Sequence, residues 1–264
     1  MKKKRIIPVI LLRNGNIVQS KQFNRYQSIG NPIRSVKKYS EWTADELIYL
    51  DISSKKKIET KRSDLGNQIF EDYNEIIDTV SKQAFMPITF GGGIRSLSDI
   101  QSKLQIGADK VSINTQALLT PNFIKQASNE FGSQCIIASV DVKKIDNQYF
   151  VYNKNFDKKI LANEWIKELE GLGAGEILLN SVDNDGAKNG YDIELLNLIS
   201  TSVNIPVIAL GGVGEVKHFK EALQKTEVDA VAAANFFQYT DQSVFLARKY
   251  LYDQKINVRK PKLK

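Results

Sequence analysis

Two rhythms of apolar residues alternate along the chain. Runs that are apolar at nearly every position stand at 5–12, 46–52, 87–90, 109–113, 135–142, 176–180, 206–210 and 229–233, and they read as strands. Between them, segments such as 67–83, 121–131, 162–172 and 191–202 return an apolar residue every three or four positions, the period of a helix packed on one side. A strand that is apolar on both faces has to be covered on both, which calls for a parallel sheet flanked by helices. Eight strand–helix units within 264 residues match a closed α/β barrel, so a single TIM (β/α)8 barrel is expected over 1–264. The rival is an open, doubly wound sheet, and internal repetition favours the barrel.

That repetition is visible by overlay. A shift of 130 positions lays Ile6-Ile7-Pro8-Val9-Ile10-Leu11-Leu12-Arg13 on Ile136-Ile137-Ala138-Ser139-Val140-Asp141-Val142-Lys143, and Glu46-Leu47-Ile48 on Glu176-Ile177-Leu178. A shift of 120 lays Asp109 and Val111 on Asp229 and Val231. Two half-barrels result, about 1–130 and 131–264. Each contains a run opened by proline (Pro87, Pro206) that ends in a glycine turn, Gly91-Gly92-Gly93 in the first and Gly211-Gly212-Val213-Gly214 in the second. At a glycine turn leading into a helix, an anion can approach backbone N–H groups at the positive end of the helix dipole. The plain alternative is a tight strand-to-helix turn. The duplication favours phosphate, and two facing turns suit a substrate with a phosphate at each end.

Barrel chemistry sits at the C-terminal ends of the strands. There the sequence places Asp51, Asn114, Thr115, Asp141, Asp183, Asp185 and Asn235. Asp141 emerges from an apolar strand and is the candidate general acid or base; its structural alternative is an ion pair with Lys143 or another basic residue. The long connection 13–31 carries Lys21 and Arg25 and reads as a lid, and a lysine-rich polar insertion follows at 53–66. At the opposite mouth Arg5, Glu46, Lys110 and Glu176 begin their strands, two positive and two negative, and are expected to pair as a ring. Such a ring is a structural closure or a gate around an axial passage.

Composition narrows the classes. The net charge of +7 comes from scattered basic residues, with small clusters at 2–5, 55–57 and 259–262, and no nucleic-acid motif accompanies them. Anionic small molecules fit better. The start Met1-Lys2-Lys3-Lys4-Arg5 meets an apolar run too short for a signal peptide or a membrane span, so a cytosolic protein is expected. Cys135 is the sole cysteine, read as a packed thiol without a disulfide partner, and His218 the sole histidine, read as a surface residue of a helix. One histidine excludes a histidine-cluster metal site and the usual Ser-His or Cys-His nucleophile pairs. No metal or organic cofactor is expected.

The ordered motifs Lys4-Arg5-Ile6-Ile7-Pro8, Asp45-Glu46-Leu47, Gly91-Gly92-Gly93-Ile94, Gly107-Ala108-Asp109-Lys110-Val111-Ser112-Ile113-Asn114-Thr115, Phe131-Gly132-Ser133-Gln134, Gly173-Ala174-Gly175-Glu176, Asp183 with Asp185-Gly186, Gly190-Tyr191-Asp192 and Gly211-Gly212 cover essentially the whole chain. Together they resemble HisF, the cyclase subunit of imidazole glycerol phosphate synthase. The resemblance implies a barrel that receives ammonia from a HisH-type glutaminase docked at its bottom face, passes it through the charged ring and uses it at the top on a bisphosphorylated ribonucleotide. It places the ammonia gate on Arg5, Glu46, Lys110 and Glu176, and the glutaminase interface on Asp109 and Gln134. Phosphate binding falls on Gly93, Asn114 and Thr115 at one end, and on Gly186, Gly212, Ala234 and Asn235 at the other. Asn235 stands where the family has serine, and can still donate a hydrogen bond. Gln19 replaces a lysine of the lid. The second catalytic aspartate falls on Asp141, but the first falls on Leu11, which has no proton to give.

An intact ammonia end beneath an altered cyclase end is similar to the HisF-like paralogues associated with acetamidino modification of bacterial surface sugars. The resemblance therefore implies a relay of glutamine-derived ammonia to a sugar amidotransferase. Alternatives are a working cyclase of histidine biosynthesis, and a silent scaffold that activates its glutaminase.

Overall fold

The computed structural model describes residues 2–30, 32–53, 72–154, 156 and 158–262. Eight parallel strands close into a barrel: β1 (Arg5–Arg13), β4 (Leu47–Asp51), β5 (Ile88–Gly91), β6 (Lys110–Ile113), β7 (Ile136–Ile145), β9 (Glu176–Ser181), β10 (Val207–Leu210) and β11 (Ala230–Ala233). The seam is β1 on β11, with Arg5 opposite Ala230 and Pro8 opposite Ala233. Each of the eight apolar runs read from sequence is one of these strands, because a run buried on both faces belongs in a parallel sheet covered by helices.

Helices cover the outside: α1 (Pro32–Glu41), α2 (Tyr73–Ser81), α3 (Leu97–Gln105), α4 (Thr115–Leu119), α5 (Asn122–Phe131), α6 (Ala162–Gly171), α7 (Ile193–Ser200), α8 (Val216–Lys225) and α9 (Ser243–Asp253). The helix expected over 67–83 is seen as α2 from Tyr73, where Asp72 caps it by accepting from Glu75 N at 2.9 Å. Its first positions, the insertion 54–66 and the cluster 55–57 lie outside the described residues. No helix among the described residues is long and apolar enough to cross a membrane.

Three further strands were not legible as such in the apolar pattern. β2 (Asn16–Lys21) and β3 (Arg25–Gly30) extend β1 as an antiparallel ribbon, and β8 (Gln148–Val151) folds back on β7. The turn from β1 to β2 has positive φ at Asn14 (52°) and Gly15 (82°), and that from β7 to β8 at Asp146 (47°) and Asn147 (62°). Consecutive left-handed residues match the twist of a hairpin, and Asn-Gly is its strongest sequence signal. The expected lid loop is thus a β-ribbon.

Two cores result. Residues on the outward faces of the strands, such as Ile6, Ile10, Tyr49 and Val111, pack beneath the helices, while Ile7, Val9, Ile48, Ile137, Leu178, Ile208, Ala230 and Ala232 fill the barrel. Just below the strands, Asp45, Asp109 and Asp229 each accept the backbone N–H that opens a neighbouring strand, from Ile6 (2.9 Å), Ile88 (2.8 Å) and Val207 (3.2 Å). Arg248 of α9 is wholly buried and reaches Asp45 at 2.9 Å, which ties the last helix to the floor of the barrel. His218 departs from its expected surface position: it is buried at the start of α8, where its Nδ1 accepts from Gly214 N (3.2 Å) and Glu215 N (3.3 Å). It serves as a helix cap. Cys135 is half-buried in a 3₁₀ turn (Ser133–Cys135) and unbridged.

Candidate functional site

The barrel has polar groups at both mouths and an apolar bore between them. At the N-terminal mouth, Arg5 bonds Glu46 (2.5 Å) and Glu176 (2.8 Å), and Lys110 bonds the other oxygens of Glu46 (3.1 Å) and Glu176 (2.5 Å). The four groups form a closed ring of alternating charge. Both carboxylates are buried, so neither could stay ionised without two cationic partners. Burial alone would raise the Glu176 carboxyl, but Arg5 and Lys110 bring it below the usual carboxylate range. Burial likewise acts to lower Arg5, and Glu176 and Glu46 more than reverse it. Asp109 and Gln134 stand exposed on this same face.

Above the ring the wall is largely aliphatic, broken by the hydroxyls of Thr89, Ser112 and Ser139. Thr89 and Ser112 are buried, and strand alternation from Lys110 points Ser112 into the bore. Ser112 Oγ has no hydrogen-bond partner among the described residues. A buried hydroxyl left open in an apolar passage offers a passing small donor or acceptor a partner.

At the C-terminal mouth Asp141 is partly buried and accepts from Asn114 Nδ2 (2.7 Å) and Asn180 Nδ2 (2.9 Å). Burial pushes its carboxyl up to about 6 against these two hydrogen bonds, with Asp185 adding to the rise. It makes no ion pair with Lys143, the structural alternative; Lys143 instead lies over the Tyr152 ring at 5.8 Å. Leu11, on the first barrel strand as Asp141 is on the fifth, packs against the apolar bore. Asn180 was missed in the sequence, although a polar side chain after Leu178-Leu179 at a strand end was the available signal. Asp183 accepts from Lys144 N at 2.8 Å, and Asp51 from Ser53 N at 2.9 Å, so both brace connections after their strands.

The glycine turns are only partly what the sequence suggests. The N-terminal amides expected to be open at the following helices are capped: Asp99 accepts from Arg95 N and Ser96 N (2.9 Å each) at α3, and His218 serves α8. Gly93 itself is exposed, with φ 68° and nothing within 4 Å of where a Cβ would stand. Asn114 and Thr115 are close to it in the fold at the next strand end, and Thr115 Oγ1 receives Asn153 Nδ2 at 3.1 Å. A cavity beside this turn is lined by Asp51, Tyr73, Gly92 and Lys103. On the other side, Gly212 is buried and Gly186, Ala234 and Asn235 are half-buried. Asn235 opens a 3₁₀ turn (Asn235–Gln238) and binds the β2 backbone, Nδ2 to Ser20 O at 2.7 Å. Among the described residues no three His, Cys, Asp or Glu side chains are arranged to hold a metal.

Comparison with known proteins gives a consistent picture. The family described as histidine biosynthesis protein matches residues 5–242. The imidazole glycerol phosphate synthase subunit HisF of Hydrogenobaculum sp. (strain Y04AAS1) is 42% identical over 266 residues, covering 97% of this chain and 98% of its own. That of Staphylococcus carnosus (strain TM300) is 42% identical over 265 residues, covering 98% and 99%. A putative imidazole glycerol phosphate synthase subunit hisF2 of Vibrio vulnificus (strain YJ016) is 41% identical over 262 residues, covering 98% and 92%.

Proposed function

The chain belongs to the histidine biosynthesis protein family and is HisF-like along nearly its whole length, and from that premise we propose that it is the ammonia-conducting barrel of a glutamine amidotransferase complex. A HisH-type glutaminase docks on the face that carries Asp109 and Gln134. Ammonia released there enters through the Arg5–Glu46–Lys110–Glu176 ring, follows the aliphatic bore past Ser112, and emerges beside Asp141. The closed ring at the head of that bore is the observation that carries the reading. An ion-paired ring excludes bulk water and ions, yet it opens for a small neutral molecule when one lysine swings aside.

At the upper mouth a phosphorylated small molecule is held at the glycine turns, with Asn114 and Thr115 beside Gly93. Asp141 is placed to exchange a proton with the incoming nitrogen, since a carboxyl near 6 supplies both protonation states around neutrality. We assign the ammonia to amidination of a bacterial surface sugar through a sugar amidotransferase, because Leu11 leaves Asp141 without a second carboxylate across the mouth. The second reading is cyclisation to imidazole glycerol phosphate in histidine biosynthesis. The raised carboxyl of Asp141 and the names of the relatives favour it.

The deciding experiment is turnover of the bisphosphorylated formimino-ribonucleotide of histidine synthesis with ammonium salt in excess. Loss of one positioned proton donor costs about 10²–10⁴-fold, so the relay reading expects conversion at background. Conversion to imidazole glycerol phosphate at a rate of turnovers per second would replace it with the second reading.

A further inference from the structure

The bore has two unlike walls. We propose that ammonia leaves it off the axis, along the wall built by the fourth, fifth and sixth barrel strands, and that the side-chain carbonyl of Asn180 is the acceptor that receives it beside Asp141. The inference rests on the reading of the bore as an ammonia path, and it names the residue at which that path ends.

Strand alternation sorts the inward side chains. On the side of β10, β11, β1 and β4 they are aliphatic from the middle of the bore to its upper rim, where Leu210, Ala234, Leu11 and Leu50 stand and Leu11 is paired in register with Leu50. The facing wall is different. There β6, β7 and β9 lead up to Asn114, Asp141 and Asn180, with Asp141 opposite Asn180 in the ladder, and Ser112 and Ser139 stand two positions below the first two. A molecule with N–H groups to satisfy finds nothing on the first wall and a series of oxygens on the second.

Two of those oxygens are unused. Ser112 Oγ and Asn180 Oδ1 have no hydrogen-bond partner among the described residues, although the two residues are only 4% and 6% exposed. Asn180 commits its Nδ2 to Asp141 Oδ1 at 2.9 Å, which leaves the carbonyl of the same amide facing away from the carboxylate. Gly211 keeps the space beside that carbonyl clear of a side chain, since a Cβ there would stand 3.0 Å from Oδ1. A buried acceptor without a donor is costly, and an arriving N–H relieves that cost.

The chemistry of the acceptor also suits ammonia. Ammonia has three N–H donors and one lone pair, and the lone pair has to stay free if the nitrogen is to attack a carbon. An amide carbonyl takes an N–H and has no proton to give, so it holds ammonia in its neutral, nucleophilic form. A protonated carboxyl would turn it into ammonium. Asp141 is kept from that first contact, because Asn180 occupies one of its oxygens and Asn114 Nδ2 the other, at 2.7 Å.

Carbon-13 NMR of the full chain tests this, with ammonium chloride as the probe and potassium chloride at equal ionic strength as the control. The side-chain carbonyl carbon of Asn180, identified by its absence in Asn180→Thr, is expected to shift downfield in step with free ammonia at pH ~9 and at least tenfold less at pH ~6, because an amine is neutral only towards high pH. The methyls of Leu11 and Leu210 are expected to stay still. The response of the Asp141 carboxyl carbon should fall at least fivefold in Asn180→Leu and stay within about twofold in Asn180→Thr, whose hydroxyl can still donate to Asp141 and accept from ammonia. Shifts at Leu11 and Leu210 that match the one at Asn180 overturn the proposal in favour of an axial exit. So does an undiminished Asp141 response in folded Asn180→Leu, which would put ammonia on the carboxylate itself. A silent Asn180 beside a responsive Ser112 side-chain carbon overturns the proposal and leaves conduction standing, whereas silence at both removes the conduction reading as well.

Discussion

The half-barrels repeat each other in fold and diverge in chemistry. Each opens with a strand that returns as a hairpin, β1 to β2 and β7 to β8, and each has a glycine turn at its third strand. At equivalent levels, however, the first half offers Leu11, an open Gly93 and both cations of the ring; the second offers Asp141, a buried Val213 and, where Arg5 and Lys110 would repeat, Cys135 and Ala230. Only the ring carboxylates, Glu46 and Glu176, are kept in both. The lesson is that duplication fixes where side chains can meet, because strand register is set by packing, while each half remains free to change what meets there.

The divergence can be broken at the reacting centre first. With Leu11 opposite, Asp141 is the lone carboxylate at its level, so Asp141→Asn is expected to lower ammonia-dependent product formation in the full complex by about 10²–10⁴-fold. Leu11→Ala should change it less than threefold. Comparable losses from both would show that the halves share the chemistry. Next comes the ring, where Glu46 and Glu176 each bridge Arg5 and Lys110. Glu46→Gln and Glu176→Gln should each cost about 3 kcal/mol in urea unfolding, alike to within about 0.5 kcal/mol, and should uncouple glutamine hydrolysis from product. Coupling that survives both changes would dismiss the gate.

A smaller effect is pH-dependent. The Asp141 carboxyl titrates near 6 in the folded chain and near the ordinary value of 3.8 when unfolded, so the folded state binds the proton more tightly. Its contribution is fully present below pH ~4 and lost as pH rises through ~6, a difference of at most about 3 kcal/mol. Asp141→Asn should therefore gain stability relative to the unaltered chain between pH 4 and 7, read as a melting-temperature difference that widens over that window. A constant difference would mean that the carboxyl is not raised. Smallest is a pair of glycines: Gly93→Ala should cost about 1 kcal/mol for its left-handed backbone, and Gly186→Ala about 1–2 kcal/mol more, since the ribbon lies on it. Equal costs would mean an open ribbon.

Most of the fold was legible because burial writes it in plain terms: a strand covered on both faces is apolar throughout, and a helix packed on one side is periodic. The ring was legible as four charges at strand starts, although its closure into alternating pairs depends on three-dimensional register. The ribbon and β8 were not: β3 has no buried residue, β2 buries only Ile17, Val18 and Ser20, and β8 only Tyr149 and Val151, too short an apolar signal to mark a strand; only Asn14-Gly15 marked the first turn. His218 misled for a related reason. A lone histidine near a helix start looks like solvent-facing polarity, and only the structure shows its ring nitrogen taking two backbone N–H groups. Asn235 was visible as a residue at the right place, but its partner lies 215 positions away, beyond any local pattern.

The seam between β1 and β11 has a consequence for how the chain is made. During synthesis β1 can pair with β4 and with its own hairpin early, but the hairpin covers only Leu11 to Arg13. The other edge, from Arg5 to Pro8, receives its partner only when β11 has left the ribosome, more than 200 residues later. Until then a run of unpaired backbone beside Ile6 and Ile7 is presented to every neighbouring nascent chain. A charged Arg5 flanks that waiting edge, a feature that discourages pairing with strangers. A residue that helps finish the barrel thus guards it while it is unfinished.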